Sequence, residues 1–347
     1  MRAALIDRFD AEIPVVEVPD PTCPDDGVVI AVHACGVCRS DHHAWKGVDP
    51  DVELPHVMGH ELAGEIVEVG PSCARFAPGD RVTAPFILGC GRCDDCLGGR
   101  PTVCERQQVI GFTRWGGFAE YVAVPHADAN LVTLPEMLSA VDAAALGCRV
   151  TTAWRALVDR AAVEPGEWVV VHGAGGVGLS AVMLADALGA RSAAVDISEA
   201  ALDAAEAAGA EVVIDGRVDD PAEAVRDATG GGAHVAIDAL GITTTFENSL
   251  RSLRKLGRHV QVGMPVGSHE VVSLPLLELV YARQLSLHGM RGLGAAGFAD
   301  LLGLVGDGRF DPGRLVSGTI GLEGVEPALR AMDGAQPAGI TVAEPSR

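Results

Sequence analysis

Six of the chain's nine cysteines stand where thiolates could hold a metal. Cys90, Cys93, Cys96 and Cys104 read C-x2-C-x2-C-x7-C within a stretch, 89–104, that is rich in glycine and charge and has little to bury. Four thiolates close a tetrahedral zinc site and leave no open coordination position, which makes such a site structural. The spacing matches neither common ferredoxin run, and four free thiols in one surface loop would be an oxidation liability. A second set is dispersed: Cys38 in Cys35-Gly-Val-Cys38-Arg-Ser-Asp-His-His, then Gly59-His60-Glu61, and later Gly147-Cys148. One imidazole and two thiolates leave a fourth position for water or substrate, which is how catalytic zinc is arranged. A Lewis acid there lowers the pKa of an alcohol hydroxyl, so that an alkoxide forms near neutral pH and hydride can leave the carbinol carbon. Taken alone, Cys148 beside an apolar run reads as buried core; it is the complete set that points to metal.

A third constellation is backbone chemistry. Trp168-Val-Val-Val-His172 reads as a strand running into Gly173-Ala-Gly175-Gly176-Val177-Gly178 and then a helical stretch over 179–189. In that context Gly173 makes the tight turn, Gly175 lets backbone approach a pyrophosphate, Gly178 allows close helix packing, and the helix N-terminus supplies the anion site. Asp196 ends the next strand, where a carboxylate accepts from both adenosine ribose hydroxyls and repels a 2′-phosphate. Ile197 and Ser198 offer that phosphate no cation, so NAD is expected over NADP. Asp238 to Gly241 and Val262-Gly263 end later strands on the edge where the nicotinamide half should lie.

The elements that must carry these residues fall into two textures. Over roughly 1–125 the chain reads as short β-runs, 28–33, 64–69 and 81–84, bounded by Pro, Gly and Asp turn signals, which predicts an antiparallel, barrel-like β domain. From about 151 it alternates apolar runs (168–172, 193–196, 211–214, 235–239 and 259–263) with Ala-rich helical stretches, which predicts a parallel, doubly wound sheet of five strands. A helical pattern at 298–305 and a closing run at 340–343 can return to the first domain. The expected layout is α/β plus β: a dinucleotide-binding domain at 150–288 inserted into a β domain made of 1–149 and 289–347.

Composition removes other classes. The 347 residues are 48% hydrophobic, with no signal-like or membrane-length apolar run, so a soluble, cytoplasmic protein without a membrane partner is expected. Twenty-six Lys and Arg against 47 Asp and Glu give a formal charge of −21, a field that repels phosphate backbones and makes nucleic acid a poor partner. Cys23, Cys35 and Cys73 read as small hydrophobes in a reducing compartment, and His33, His42 and His56 as ordinary structural or surface histidines.

The motifs Cys38-Arg-Ser-Asp-His-His-Ala-Trp, Gly59-His60-Glu61, the four-cysteine lobe, Gly147-Cys148 and Gly173-Ala-Gly-Gly-Val-Gly178 together resemble the zinc-dependent medium-chain alcohol dehydrogenases over essentially the whole chain. That resemblance implies a GroES-like barrel with an inserted Rossmann domain, two zinc ions per chain and NAD. It implies that Cys38, His60 and Cys148 ligate the catalytic zinc and that Ser40 takes the substrate proton. The relay passes from Ser40 through the nicotinamide ribose hydroxyl to His43. Asp41 orients His60, Glu61 lies beside the zinc and can approach it, Arg39 contacts the pyrophosphate, and Trp45 and Phe86 line the substrate pocket. The implied reaction interconverts a small-molecule primary or secondary alcohol with its aldehyde or ketone, in a homodimer or homotetramer paired through the edge strand of the nucleotide domain. Polyol, formaldehyde and thiol-adduct dehydrogenases share the machinery. A zinc-free quinone or enoyl reductase would lack both cysteine sets, and a non-catalytic zinc- and NAD-binding protein would need no proton path.

Overall fold

The run expected at 28–33 extends as one ten-residue strand, Val28–Val37, in which only His33 is exposed. It pairs antiparallel with Glu61–Val69, Tyr121–Val124 and Ile340–Ala343. A strand so flanked has almost no wet face, which is why its sequence is nearly continuous in apolar residues instead of alternating. The computed structural model describes residues 1–217, 220–334 and 339–347, and places this strand in a unit made of Met1–Thr151, Gly292–Gly303 and Asp311–Arg347. The sheet continues through Arg81–Thr83 and Val132–Thr133 on one side and through Val316–Ile320 beyond Ile340–Ala343 on the other; the pairing of these last two strands is parallel. Ile30, Leu62, Ile66, Val82 and Phe118 are buried in its core.

The second unit, Thr152–Arg291 with Leu304–Phe310, holds a parallel sheet of six strands: Trp168–His172, Arg191–Asp196, Val212–Asp215, Ala233–Asp238, Leu253–Gln261 and Ser286–Gly289. Numbered in chain order they lie 3-2-1-4-5-6, so the direction of crossover reverses beside Trp168–His172, the strand that feeds the glycine-rich turn. All five of its residues are buried, as a central strand covered by helices on both faces requires. The sixth strand, Ser286–Gly289, lies outside the five that the sequence predicts. It is an edge strand with Leu287 exposed, and it carries neither an apolar run nor a period that would reveal it.

Two histidines on strands of this sheet are buried, each with its own hydrogen-bond partners. His172 Nε2 lies 3.1 Å from Ser252 Oγ; His259 Nδ1 lies 2.7 Å from Ser249 Oγ, and its Nε2 lies 3.2 Å from Gln261 Oε1, whose amide donates to Asp238 at 3.0 Å. Burial pushes both imidazoles down to about 4 from an ordinary 6.5, so both stay neutral in the folded chain. As pH falls below 6.5 the unfolded chain takes up protons that the folded chain refuses, and stability is lost until about pH 4. At pH 5 this amounts to roughly 2 kcal/mol per histidine relative to pH 8. We expect His172→Gln, which retains a polar group toward Ser252, to flatten the fall in guanidinium midpoint between pH 6.5 and 4; an unchanged slope would refute the assignment.

Candidate functional site

The register of the first sheet builds the candidate metal centre. Cys35 lies opposite Leu62 and Gly36 opposite Glu61, so the ends of the two paired strands carry Cys38 and His60 to the same rim. Cys38 then caps a short helix, Arg39–Trp45, and its backbone N–H donates to Asp41 Oδ2 at 2.9 Å. The third ligand candidate arrives from far along the chain. The helix Ala140–Ala145 breaks at Gly147 (φ −44°, ψ −130°), and the wide turn that follows presents Cys148. Ligand atoms of Cys38, His60, Cys148 and Glu61 all lie within 4.8 Å of one another.

The donor set fits a metal ion on two observations. His60 Nδ1 is 2.9 Å from Asp41 Oδ1, which fixes the ring so that Nε2 faces the cluster, and that buried Nε2 has no hydrogen-bond partner. An orphaned buried imidazole nitrogen is costly unless something electron-poor meets it. The sulfurs give the second observation: Cys38 Sγ and Cys148 Sγ lie within 4.8 Å of each other and of a ring nitrogen of His60, with no disulfide between them. Thiols gathered around an imidazole in this way can give up their protons to a cation. Asp41 is completely buried, accepts also from Gly59 N–H at 3.1 Å, and is thereby fixed as the carboxylate behind His60.

On the helix Arg39–Trp45, Ser40 and His43 are three residues apart and share a face. Ser40 Oγ is 3.9 Å from Cys38 Sγ. Burial, reinforced by the charges of Arg39 and His42, keeps His43 below 6.5 and so neutral near pH 7. Arg39 donates to the Met332 carbonyl at 2.6 Å, and His42 meets Asp333 at 2.8 Å. Phe86 stands edge-on to the His60 ring at 5.7 Å, and Phe112, which the motifs did not single out, stands at 5.2 Å.

Trp45 requires a correction. It is wholly buried on the side of the helix away from Ser40 and His43, with its indole N–H donated to the Ala11 carbonyl at 2.8 Å. Its ring is covered by Lys46 at 4.6 Å and Arg330 at 4.9 Å. A large ring whose polar edge needs an internal partner goes to the core, and Trp45 packs there instead of forming a substrate wall.

Sequence reading also missed Arg149, the residue after Cys148. It is 6% exposed, and its Nε and backbone N–H each lie 3.1 Å from Glu61 Oε1, while Nη2 donates to Oε2. The only signal was a cation in an otherwise apolar run, Ala145-Leu-Gly-Cys-Arg149-Val.

The four-cysteine lobe also closes. Its sulfurs lie within 4.8 Å of one another, with Cys93 and Cys104 at 3.7 Å and Cys90 and Cys96 at 4.0 Å. A disulfide needs ~2 Å, whereas a tetrahedron with metal–sulfur bonds of ~2.3 Å has edges near ~3.8 Å. Arg106 donates to Cys90 Sγ at 3.2 Å through its side chain and to Cys104 Sγ at 3.4 Å through its backbone, contacts that suit thiolates.

In the second unit Gly175 caps the helix Gly176–Ala187. Gly173 has φ +98°, and a Cβ on Gly178 would lie 1.9 Å from the Gly173 carbonyl oxygen, so only glycine allows this strand, turn and helix to pack. Val177 lies in the first turn of that helix. Asp196 accepts from Ala174 N–H at 2.7 Å and from Ser198 N–H at 2.9 Å, which fixes its carboxylate at the turn and leaves lone pairs for a ribose.

Residues 24–136 match the alcohol dehydrogenase GroES-like domain family, and residues 176–306 match the zinc-binding dehydrogenase family. An alcohol dehydrogenase of Geobacillus stearothermophilus is 37% identical over 85% of this chain and 84% of its own length. An NAD-dependent alcohol dehydrogenase of Sulfurisphaera tokodaii is 33% identical over 99% of this chain and 100% of its own. Among solved structures, the alcohol dehydrogenase of Thermus sp. ATN1 superposes with a TM-score of 0.91 at 30% identity, covering 99% of both chains.

Proposed function

Because the chain belongs to the zinc-dependent medium-chain alcohol dehydrogenases, we propose that the cluster of Cys38, His60 and Cys148 is its catalytic centre, working with NAD to interconvert an alcohol and its aldehyde or ketone. The observation that carries this assignment is the buried His60 Nε2, which has no hydrogen-bond partner, in a cluster where ligand atoms of His60, Cys38 and Cys148 lie within 4.8 Å of one another. Zinc bound there would supply Lewis acidity toward a substrate oxygen, and a second ion held by Cys90, Cys93, Cys96 and Cys104 would be structural.

The chain's own residues supply the rest. Asp41 holds the His60 ring in one orientation. Ser40 accepts the hydroxyl proton of the alcohol, and neutral His43 on the same helix face passes it on to solvent. Arg39 is assigned to the pyrophosphate of NAD, as are the backbone amides of Gly173 to Gly178, and Asp196 to the adenosine ribose. The rings of Phe86 and Phe112 packed against His60 make one side of the centre apolar, which favours flat or aliphatic alcohols over polyols.

The edge strand Ser286–Gly289, with exposed Val271, Leu276, Leu277, Tyr281 and Leu287 nearby in sequence, is offered as the face that a second copy covers in a homodimer or homotetramer. No helix among the described residues is long and apolar enough to cross a membrane.

Initial rates of NAD reduction across linear, branched, aromatic and polyhydric alcohols, with NADP in parallel, test this reading. Turnover with monohydric alcohols and NAD is expected. A preference for polyols, or for an aldehyde only as its thiol adduct, would move the substrate assignment. In Asp196→Gly the preference for NAD over NADP should fall by about tenfold or more, the loss of roughly one charged hydrogen-bonding partner; an unchanged ratio would remove Asp196 from the cofactor site.

A further inference from the structure

Arg149 has no part in the reading above, yet a buried guanidinium needs a reason to be there. Its partner, Glu61, is completely buried and directly follows His60, and its carboxylate lies within reach of the same point as Cys38 Sγ, His60 and Cys148 Sγ. A carboxylate oxygen is a competent zinc ligand. A fourth protein ligand would close the one position that the reaction leaves for substrate.

Two features hold Glu61 where it is. The first is steric: a Cβ on Gly36 would lie 2.2 Å from Glu61 Oε2, and one on Gly147 would lie 2.5 Å from Glu61 Cβ, so both glycines form a slot cut to this side chain. The second is the planar guanidinium of Arg149, which engages both carboxylate oxygens while its backbone N–H adds a further bond. Charges agree with geometry. Two thiolates neutralise a divalent ion, and Arg149 neutralises Glu61, so neither pair gains by exchanging partners.

We propose that Arg149 is a positioning residue that clamps Glu61 beside the metal centre and out of its coordination shell, keeping the fourth position exchangeable. The proposal rests on the zinc reading. Lysine cannot reproduce the clamp, because a single ammonium does not span two oxygens in plane.

Protein carrying Co2+ in place of zinc reports the coordination shell by visible absorption, and imidazole serves as the probe of an open position. In the parent protein imidazole should shift the spectrum. Arg149→Met should alter the spectrum before imidazole is added and weaken imidazole binding by about tenfold or more, with KM for alcohol rising more than kcat falls. Arg149→Lys should fall between the two. Adding Glu61→Gln to Arg149→Met removes the competing carboxylate and should restore imidazole affinity to within about threefold of the parent. An Arg149→Met protein with the parent's spectrum and imidazole affinity overturns the proposal and leaves the zinc assignment standing. If that variant does not fold, the lysine and double variants decide, and parent-like imidazole affinity in Arg149→Lys, or none in the double variant, is equally fatal. A parent protein that retains only one metal ion per chain overturns both readings.

Discussion

Replacing Cys38 by serine should leave one metal ion per chain and reduce NAD-dependent turnover by at least ~1,000-fold, on the order of 4 kcal/mol of lost transition-state stabilisation. The substitution is severe for chemistry and mild for the fold. Serine is a good N-cap, so the helix Arg39–Trp45 keeps its start, and the Cys38 N–H still reaches Asp41 Oδ2. A hydroxyl, however, gives up its proton to a metal far less readily than a thiol, and two ligands hold zinc far less tightly than three. Metal analysis and initial rates on the same preparation check the result. Full activity in the serine variant would remove Cys38 from the centre and with it the proposed mechanism.

Cys93→Ser should do the reverse, lowering stability and yield while sparing the chemistry. Between Cys90 and Cys104 only Thr102 and the two terminal cysteines are buried, so the lobe has no apolar core of its own. Its helix, Asp94–Leu97, is a single turn, far too short to persist alone. Structural zinc contributes roughly 10 kcal/mol or more in small zinc-binding peptides, and here it has little competition as the organising force. We expect loss of one metal ion per chain, rapid proteolysis within 89–104 and a lower melting temperature, with kcat of the folded fraction within about threefold of the parent. An unchanged melting temperature with full metal content would show that the lobe does not depend on the ion.

How much of the molecule is legible in its sequence follows from how local each constraint is. Metal ligation by one short loop restricts residue type and spacing directly, so Cys90, Cys93, Cys96 and Cys104 stand out in the linear order of residues, whereas the dispersed set of Cys38, His60 and Cys148 is legible only through its motifs taken together. The strand Trp168–His172 is legible to the residue because a central strand between helices must be apolar throughout. Arg191–Asp196 starts two residues before its apolar part, since Arg191 faces solvent and pairs with Glu211. The edge strand Ser286–Gly289 escapes because an edge buries too little to leave a pattern. Trp45 is misplaced because its neighbours in sequence are site residues, whereas the turn of a helix sends it to the opposite side. Arg149 escapes for a different reason: its partner Glu61 is distant in sequence, and no spacing rule joins them.

The two metal sets also differ in how much chain must be in place before each exists. The lobe gathers its sulfurs between Cys90 and Cys104, whereas the proposed catalytic set spans Cys38 to Cys148 and needs the pairing of Val28–Val37 with Glu61–Val69 as well. Closing the longer span costs roughly 2 kcal/mol more in chain entropy, before the cost of ordering the sheet is counted. The order of assembly is therefore built into the connectivity. On this connectivity the lobe needs only the chain up to Cys104 to bring its sulfurs together, while the proposed catalytic centre needs Cys148 folded back against the paired strands, so metal bound there would report that the domain around it has folded.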